Sequence, residues 1–571
     1  MLRSSRLRLS LGVLWQVTVF ALLTIGPSSF ARHSQEPPTT GSVPHSTVTS
    51  LPSPLTDALA LYRKGNFDEA ISKYQEILRD KPNSPDAYAG LIRTYLKKKD
   101  VQQAADIATQ ALQVADATPV RVALGELYFR QGKIHDAEAE WIKVINSGHP
   151  DARAYFGIAR VRWAIAMYKT GWTMIDRAHT LDPSDPEIQE AWTQKLSRAE
   201  RIKFLEAYLA GDNNEDADTR VSMQHYLEYL KARAKDSHGA CHLVSKITST
   251  ETSLVRLLSD PQHLRGYGLA VNVNGHGSKL LLDTGASGIL LSHGLAEKAG
   301  LSRLSEYEIR GIGDKGGKEG HTAVADSLKI GDLEFQGCTV RVLDQRSGIG
   351  EDGLIGSDVF SSFLVDLDFP NEKMRLQELP KRPEAADTKL ALETDEDDSD
   401  DDSGGASKPT ATEPQKDAKP KNPGPQDRYL APEMKSYTPI YRFGHMLLVP
   451  TSVGQIPGKL FLIDSGAFTN HITPAAAREV TKVHGDSSIT IKGLSGNVKK
   501  VYSADKAILQ FGHLRQENQD MVAFDFTRIS DNIGTEISGT LGFTLLRFLD
   551  IKIDYRDGLV DFEYDTKRWG R

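Results

Sequence analysis

Leu280-Leu281-Leu282-Asp283-Thr284-Gly285-Ala286 is answered far downstream by Leu460-Phe461-Leu462-Ile463-Asp464-Ser465-Gly466-Ala467. In each, an apolar run of the kind that forms a buried strand delivers one aspartate into a glycine-containing turn. A lone carboxylate on such a turn does little. Two held face to face share a proton and activate water, because like charges that close do not both ionise cheaply. Asp283 and Asp464 are therefore the candidate catalytic pair, and their repeated setting points to a duplicated β-rich unit.

The correspondence extends outward from both turns. Ile309-Arg310-Gly311-Ile312-Gly313 follows the first, and Ile491-Lys492-Gly493-Leu494-Ser495-Gly496 follows the second; both read as hairpin tips. Later come Gly353-Leu354-Ile355-Gly356 and Gly539-Thr540-Leu541-Gly542, each leading into a short amphipathic stretch. Each copy then ends in a strand pair, turning at Asp368-Phe369-Pro370-Asn371 or at Asp554-Tyr555-Arg556-Asp557. This order of strand, Asp-turn, hairpin, apolar-apolar-Gly, short helix and closing strands resembles the retropepsin-like aspartic peptidases, the clan of pepsins and retroviral proteases. The resemblance spans units at 262–379 and 429–565.

The resemblance implies roles, position by position. One of Asp283 and Asp464 is ionised and takes a proton from water, while the other, protonated, hydrogen-bonds the scissile carbonyl. Gly285 and Gly466 allow close backbone approach. Thr284 and Ser465 match hydroxyls that lock two halves together, and Ala286 and Ala467 complete the two active-site loops. Gly311, Ile312, Gly313, Gly493 and Leu494 are the flap tips that exclude water and touch substrate. Pepsins carry Ser or Thr where this chain has Ala286 and Ala467; without that hydroxyl the pair is expected to titrate higher, with activity at mildly acidic to near-neutral pH. Two departures stand out: Thr540 interrupts the second apolar-apolar-Gly element, and Phe468 replaces a small polar residue. The halves pair either within one chain, which the tandem duplication favours, or each with its copy in another molecule.

The N-terminal portion has a different texture. Ala70, Ala104 and Ala137 recur about every 34 residues, as do Gly65, Lys99 and Gly132, and prolines at 82, 150 and 183 close successive units. This period resembles tetratricopeptide repeats and predicts an all-α solenoid over 55–235. Such repeats are either a plain scaffold or a groove for a protein partner or substrate. The fold class expected is thus multi-domain: an all-α repeat solenoid followed by two all-β, retropepsin-like half-barrels.

What remains concerns targeting and linkage. Arg3, Arg6 and Arg8, the apolar run from Leu11 to Ile25, and Ser29-Phe30-Ala31 read as a signal peptide over 1–31, with an uncleaved anchor as the alternative. A spacer at 32–54 and an acidic, Pro-rich linker at 380–428 are expected to be irregular. Export to a periplasmic or extracellular space follows. The net charge of −7 lies largely in the Asp395–Asp402 cluster, and no basic tract suits nucleic acid. The histidines lack metal-ligand spacing, the two G-x-G-x-x-G matches at 311–316 and 348–353 open no helix, and no cofactor or metal is implied. Cys241 and Cys338 are the two cysteines; an exported chain could join them, but the sequence shows no proximity, and Cys338 reads as an inert buried thiol. The function expected is that of an exported aspartic endopeptidase, the alternative being a non-catalytic peptide-binding or assembly scaffold.

Overall fold

The computed structural model describes residues 21–22, 53–148, 150–211, 217–236, 241–344, 352–383 and 426–569. The expected signal peptide, most of the spacer and most of the acidic linker lie outside the described residues. The exception at the N-terminus is Ala21–Leu22, a two-residue strand antiparallel to Arg310–Gly311. Among the described residues no helix is long and apolar enough to cross a membrane.

Antiparallel helix pairs come first: Pro54–Arg63 with Phe67–Asp80, Pro85–Lys97 with Val101–Val114, Thr118–Arg130 with Ile134–Asn146, and Ala152–Ala164 with Tyr168–Leu181. The 34-residue period is physical at two kinds of position. The turn inside each pair needs a left-handed residue, and Gly65, Lys99, Gly132 and Ala166 occupy it with φ of 78°, 63°, 74° and 59°. Lys99 and Ala166 adopt it at a cost of about 1 kcal/mol each. Where helices cross, small residues admit large rings. Trp141, fully buried, lies against Gly125 and Gly157, and a Cβ on either would strike the indole. Pro186–Thr193, Arg198–Ala210 and Ala217–Lys235 continue the stack.

The inner helices are tied by charge. Arg153 donates to Glu126, Asp185, Glu187 and the Tyr62 hydroxyl, Lys97 pairs with Glu187, and Arg63 reaches Asp182 and Ser184. The first helix is thereby bonded to the loop before Pro186–Thr193, and the network is largely enclosed.

The first β-rich unit begins earlier than the expected residue 262. Val255–Asp260 pairs with His263–Val273, and Thr250–Ser253 lies at the edge of a sheet farther down. Cys338 is not a free thiol. His242–Leu243 adds antiparallel to Phe335–Gln336, which brings Cys241 to a Cα–Cα distance of 4.2 Å from Cys338 in a disulfide. No pattern in the chain betrays this proximity, because 97 residues separate the two. The bridge pins the segment leaving the helices to the first β unit. Replacing both cysteines by alanine is expected to cost about 2–4 kcal/mol, read as a lower urea midpoint that reductant also produces in the wild type.

The two β units are halves of one body. Phe363–Asp368 of the first pairs antiparallel with Leu549–Asp554 of the second, Asp366 opposite Lys552, at the centre of a six-stranded sheet drawn from both. One apolar core runs through both halves, from Leu269, Leu280 and Val365 to Leu447, Ile551 and Phe562. Pairing is therefore within the chain. The two stretches flanking residues 384–425 also meet, since Arg382 donates to Gln426 at 2.6 Å and to Asp557.

The repeats pack on the second half. Phe129, Trp141, Ile158 and Val161 share an apolar cluster with Tyr441, Leu460, Phe526, Ile529 and Ile537. Polar contacts frame it: the Thr535 hydroxyl donates to the Phe129 carbonyl at 2.6 Å, and Thr170 donates to Asp427 through its backbone N–H and its hydroxyl.

Candidate active site

Each aspartate stands at the end of a strand, His276–Asp283 or Ile456–Asp464, where a parallel strand supports the following turn. Gly353–Gly356 runs beside the first, Gly356 opposite Asp283, and Gly539–Gly542 beside the second, Gly542 opposite Asp464. Both glycines are required by contact. A Cβ on Gly356 would meet the Ala286 carbonyl at 2.5 Å, and one on Gly542 would strike the Thr469 carbonyl. The apolar-apolar-Gly element is thus the floor under each catalytic turn. Thr540, which departs from the pattern, is fully buried, and its hydroxyl lies 3.0 Å from Nδ1 of buried His471. The second half accommodates the hydroxyl by supplying it with a partner.

The turns interlock. The Thr284 hydroxyl donates to the Ile463 carbonyl at 2.9 Å and accepts from the Ser465 N–H at 2.9 Å. The Ser465 hydroxyl donates to the Leu282 carbonyl at 2.9 Å and accepts from the Thr284 N–H at 3.0 Å. Four reciprocal bonds, all buried, join the halves beneath the two carboxylates.

Asp283 is 0 % and Asp464 2 % exposed. A Cβ on Gly285 would stand 2.8 Å from Cγ of Asp464, so the two turns leave room only for glycine. Asp283 receives the N–H groups of Gly285 (2.9 Å to Oδ1) and Ala286, and Asp464 those of Ala467 (2.8 Å to Oδ1) and Gly466. Each carboxyl lies within the other's proton-sharing reach. Burial, then repulsion from Asp464, drives the Asp283 carboxyl well above the usual carboxylate range. Burial also raises Asp464, but its backbone donors and the proton offered by Asp283 hold it to about 6. Both carboxyls are therefore raised above the ordinary range, Asp283 the further of the two.

The hairpins close on each other beside the two catalytic loops. Ser495 N–H donates to the Ile312 carbonyl, Lys315 N–H to the Ser495 carbonyl, Asp314 N–H to the Asn497 carbonyl, and Gly311 N–H to the Ser495 hydroxyl, at 2.9–3.2 Å. Each tip buries its apolar residue across the divide. Leu494 of the second flap joins Leu281, Ala286 and Leu290 of the first half, and Ile312 joins Ala467, Ile491 and Phe526 of the second. Gly311, Ile312 and Gly313 thus meet the second hairpin, whose strand ends at Gly493 and whose tip carries Leu494.

Further contributors are not evident from the motifs. Ser495, one residue past the expected tip, is the polar hub between the hairpins. Asn470 accepts the Gly542 N–H at 2.8 Å, and Asp358 accepts the Gly288 N–H at 2.8 Å, so each bolsters a catalytic loop. His445, grouped in the sequence with scattered histidines, lies buried beside the Gly285 carbonyl, within the fields of Asp358, Arg341 and Arg442. Burial pulls its ring down to about 4, so it is neutral there. Only the fold brings it to this loop.

Two Asp-Thr/Ser-Gly turns, bonded hydroxyl to backbone and flanked by paired hairpins, define the retropepsin-like aspartic peptidase architecture, here preceded by a tetratricopeptide-repeat solenoid. Comparison with known proteins agrees on both parts. Residues 269–359 match the aspartyl protease family model and residues 61–116 a tetratricopeptide repeat model. The UBA domain-containing protein Mud1 of Schizosaccharomyces pombe is 33 % identical over 124 residues, which cover 21 % of this chain. The chain spans only about a third (36 %) of that relative's length. Among solved structures, the aspartic proteinase from Irpex lacteus is 14 % identical, covering 56 % of this chain and 98 % of its own, with a TM-score of 0.32. A retropepsin-like aspartic protease from Rickettsia conorii is 20 % identical, covering 23 % and 92 %, with a TM-score of 0.18.

Proposed function

We propose that this protein is an exported aspartic endopeptidase whose water-activating pair is Asp283 and Asp464. The observation that carries this reading is geometric: two Asp-Thr/Ser-Gly turns, locked by four reciprocal hydrogen bonds, bring two buried carboxyls within reach of each other. Ionised Asp464 accepts a proton from a water placed between the acids. The hydroxyl oxygen attacks the peptide carbon, while the Asp283 proton hydrogen-bonds and then neutralises the carbonyl oxygen. The tetrahedral diol collapses as the proton taken by Asp464 passes to the amide nitrogen and one diol hydroxyl returns its proton to Asp283, which breaks the C–N bond, releases acid and amine and restores the pair. Substrate enters when the two flaps part, and their return excludes bulk water.

A non-catalytic scaffold has no use for a close acid pair in a buried site, and the four-bond lock maintains that closeness. Export is supported by the disulfide, a bond at home in oxidising compartments. The repeats serve as a seat for a protein partner or substrate, as solenoids of this kind do.

Hydrolysis of a peptide library across pH tests the reading. The active form has Asp464 ionised and Asp283 protonated, so kcat/KM should rise as pH climbs through about 6 and fall again as Asp283 loses its proton at higher pH. An acid limb lying below about pH 4 would contradict this assignment of the pair.

A further inference from the structure

We propose that the helical-repeat domain helps close the first flap, acting through the helix Thr527–Ile533, on which Arg528 is the positioning residue. The effect on turnover rests on the peptidase reading above; the latch itself does not.

Arg528 Nη1 donates to the Gly313 carbonyl at 3.2 Å and lies 3.5 Å from the Lys315 carbonyl. Both carbonyls belong to the first flap, whereas Arg528 belongs to the second half. The tip is fixed at Gly313, whose φ is +134° and whose missing Cβ would strike the Ser495 backbone. The second flap holds the tip through Ser495 and Asn497, and Arg528 adds a charged donor from outside that hairpin.

One turn beyond Arg528 on the same helix is Asp531. Residues three apart on a helix are neighbours, so Asp531 lies within reach of Arg528, although base before acid is the weaker order for such a pair. Here the aspartate is already engaged. Arg130, the last residue of repeat helix Thr118–Arg130, forms an ion pair with it in which the side chains are 13 % and 9 % exposed, and Lys99 Nζ stands 3.5 Å away. The repeats thus hold the competitor and leave the Arg528 guanidinium to the flap. The remainder of the segment is anchored the same way: Ile529 and Ile537 pack among Phe129 and Trp141, the Thr535 hydroxyl bonds the Phe129 carbonyl, and Arg160 Nη2 donates to the Gly534 carbonyl at 3.4 Å. A helix clasped by the repeats on one side and touching the flap on the other transmits any shift of the repeats to the paired hairpins.

Amide hydrogen exchange on the full-length protein tests this without recourse to activity. In Arg528→Gln the amides of Gly311, Asp314 and Lys315, which donate to the second flap, should exchange about tenfold faster, with the shared sheet unchanged. Arg130→Gln, which touches no flap residue, should give the same pattern, and adding Asp531→Asn to it should restore protection by removing the competing charge. On a peptide substrate KM should rise in both single variants more than kcat falls. Wild-type exchange in Arg528→Gln overturns the latch. Loosening by Arg130→Gln that Asp531→Asn does not repair reduces the link to lost packing and overturns the proposed coupling. If exchange follows the expected pattern while no variant or wild type cleaves peptides, the latch stands and the peptidase reading falls.

Discussion

Asp464→Asn and Asp283→Asn are each expected to lower peptide hydrolysis by about a thousandfold or more, the range over which general acid–base groups act. An amide at position 464 has no lone pair basic enough to deprotonate water, and an amide at position 283 has no acidic proton to give the carbonyl oxygen. The structure lets this loss be told apart from unfolding. In Asp283→Asn the side-chain amide oxygen still accepts the Gly285 N–H that now reaches Oδ1 at 2.9 Å, so the turn keeps its shape. The pH dependence of stability then runs in the opposite sense from activity. A carboxyl whose folded pKa is raised stabilises the fold most at low pH, and that contribution is lost as pH rises through the folded value. For Asp464 the loss begins above the ordinary carboxylate range and continues through about 6, and for Asp283 it extends higher. The pair's contribution should therefore shrink as pH rises from about 4 through about 6 and beyond, so over that span the melting temperature of Asp283→Asn should fall less than that of wild type. A variant that is inactive yet at least as stable as wild type at neutral pH identifies chemistry as what was removed. Undiminished, pepstatin-insensitive cleavage by Asp283→Asn would dismiss this pair as its source.

Thr284→Val should be the most damaging conservative change in the β body. Valine keeps the shape but deletes one hydroxyl that both donates to the Ile463 carbonyl and accepts from the Ser465 N–H. Both partners are left buried without a bond, at about 1–3 kcal/mol each, so a loss of about 2–5 kcal/mol is expected from urea unfolding. Thr284→Ser retains both bonds and should lose little by comparison. Ser465→Ala attacks the mirror pair at the Leu282 carbonyl and the Thr284 N–H. Because all four bonds join the same two turns, the double variant should lose less than the sum of the singles. Strict additivity would mean that the two hydroxyls act independently rather than as one lock.

Much of the site is legible in the chain because it is written there twice. The Asp turns, flap tips, supporting Gly elements and closing strands recur in order, and a matched pair of patterns says more than either alone. The repeat solenoid is legible for the same reason, down to the left-handed step that Lys99 shares with Gly65 and Gly132. What escapes a reading of the sequence are contacts between segments with no shared period. The Cys241–Cys338 bridge spans 97 residues, the Arg130–Asp531 pair joins an α repeat to a β half, and His445 reaches the other half's loop only after folding. Thr540 resembles a flaw because its partner His471 lies far off in the sequence. Ser495 escapes more narrowly: apolar flap residues are visible as pattern, whereas one hydroxyl serving two hairpins is not.

The meeting of Arg382 with Gln426 has a practical side. Two chain ends that touch can be joined by a closed loop of almost any length, because closure entropy varies only slowly with length. The position is accordingly a natural graft point, where a fluorescent reporter or affinity handle could replace the intervening tract while the two lobes stay docked.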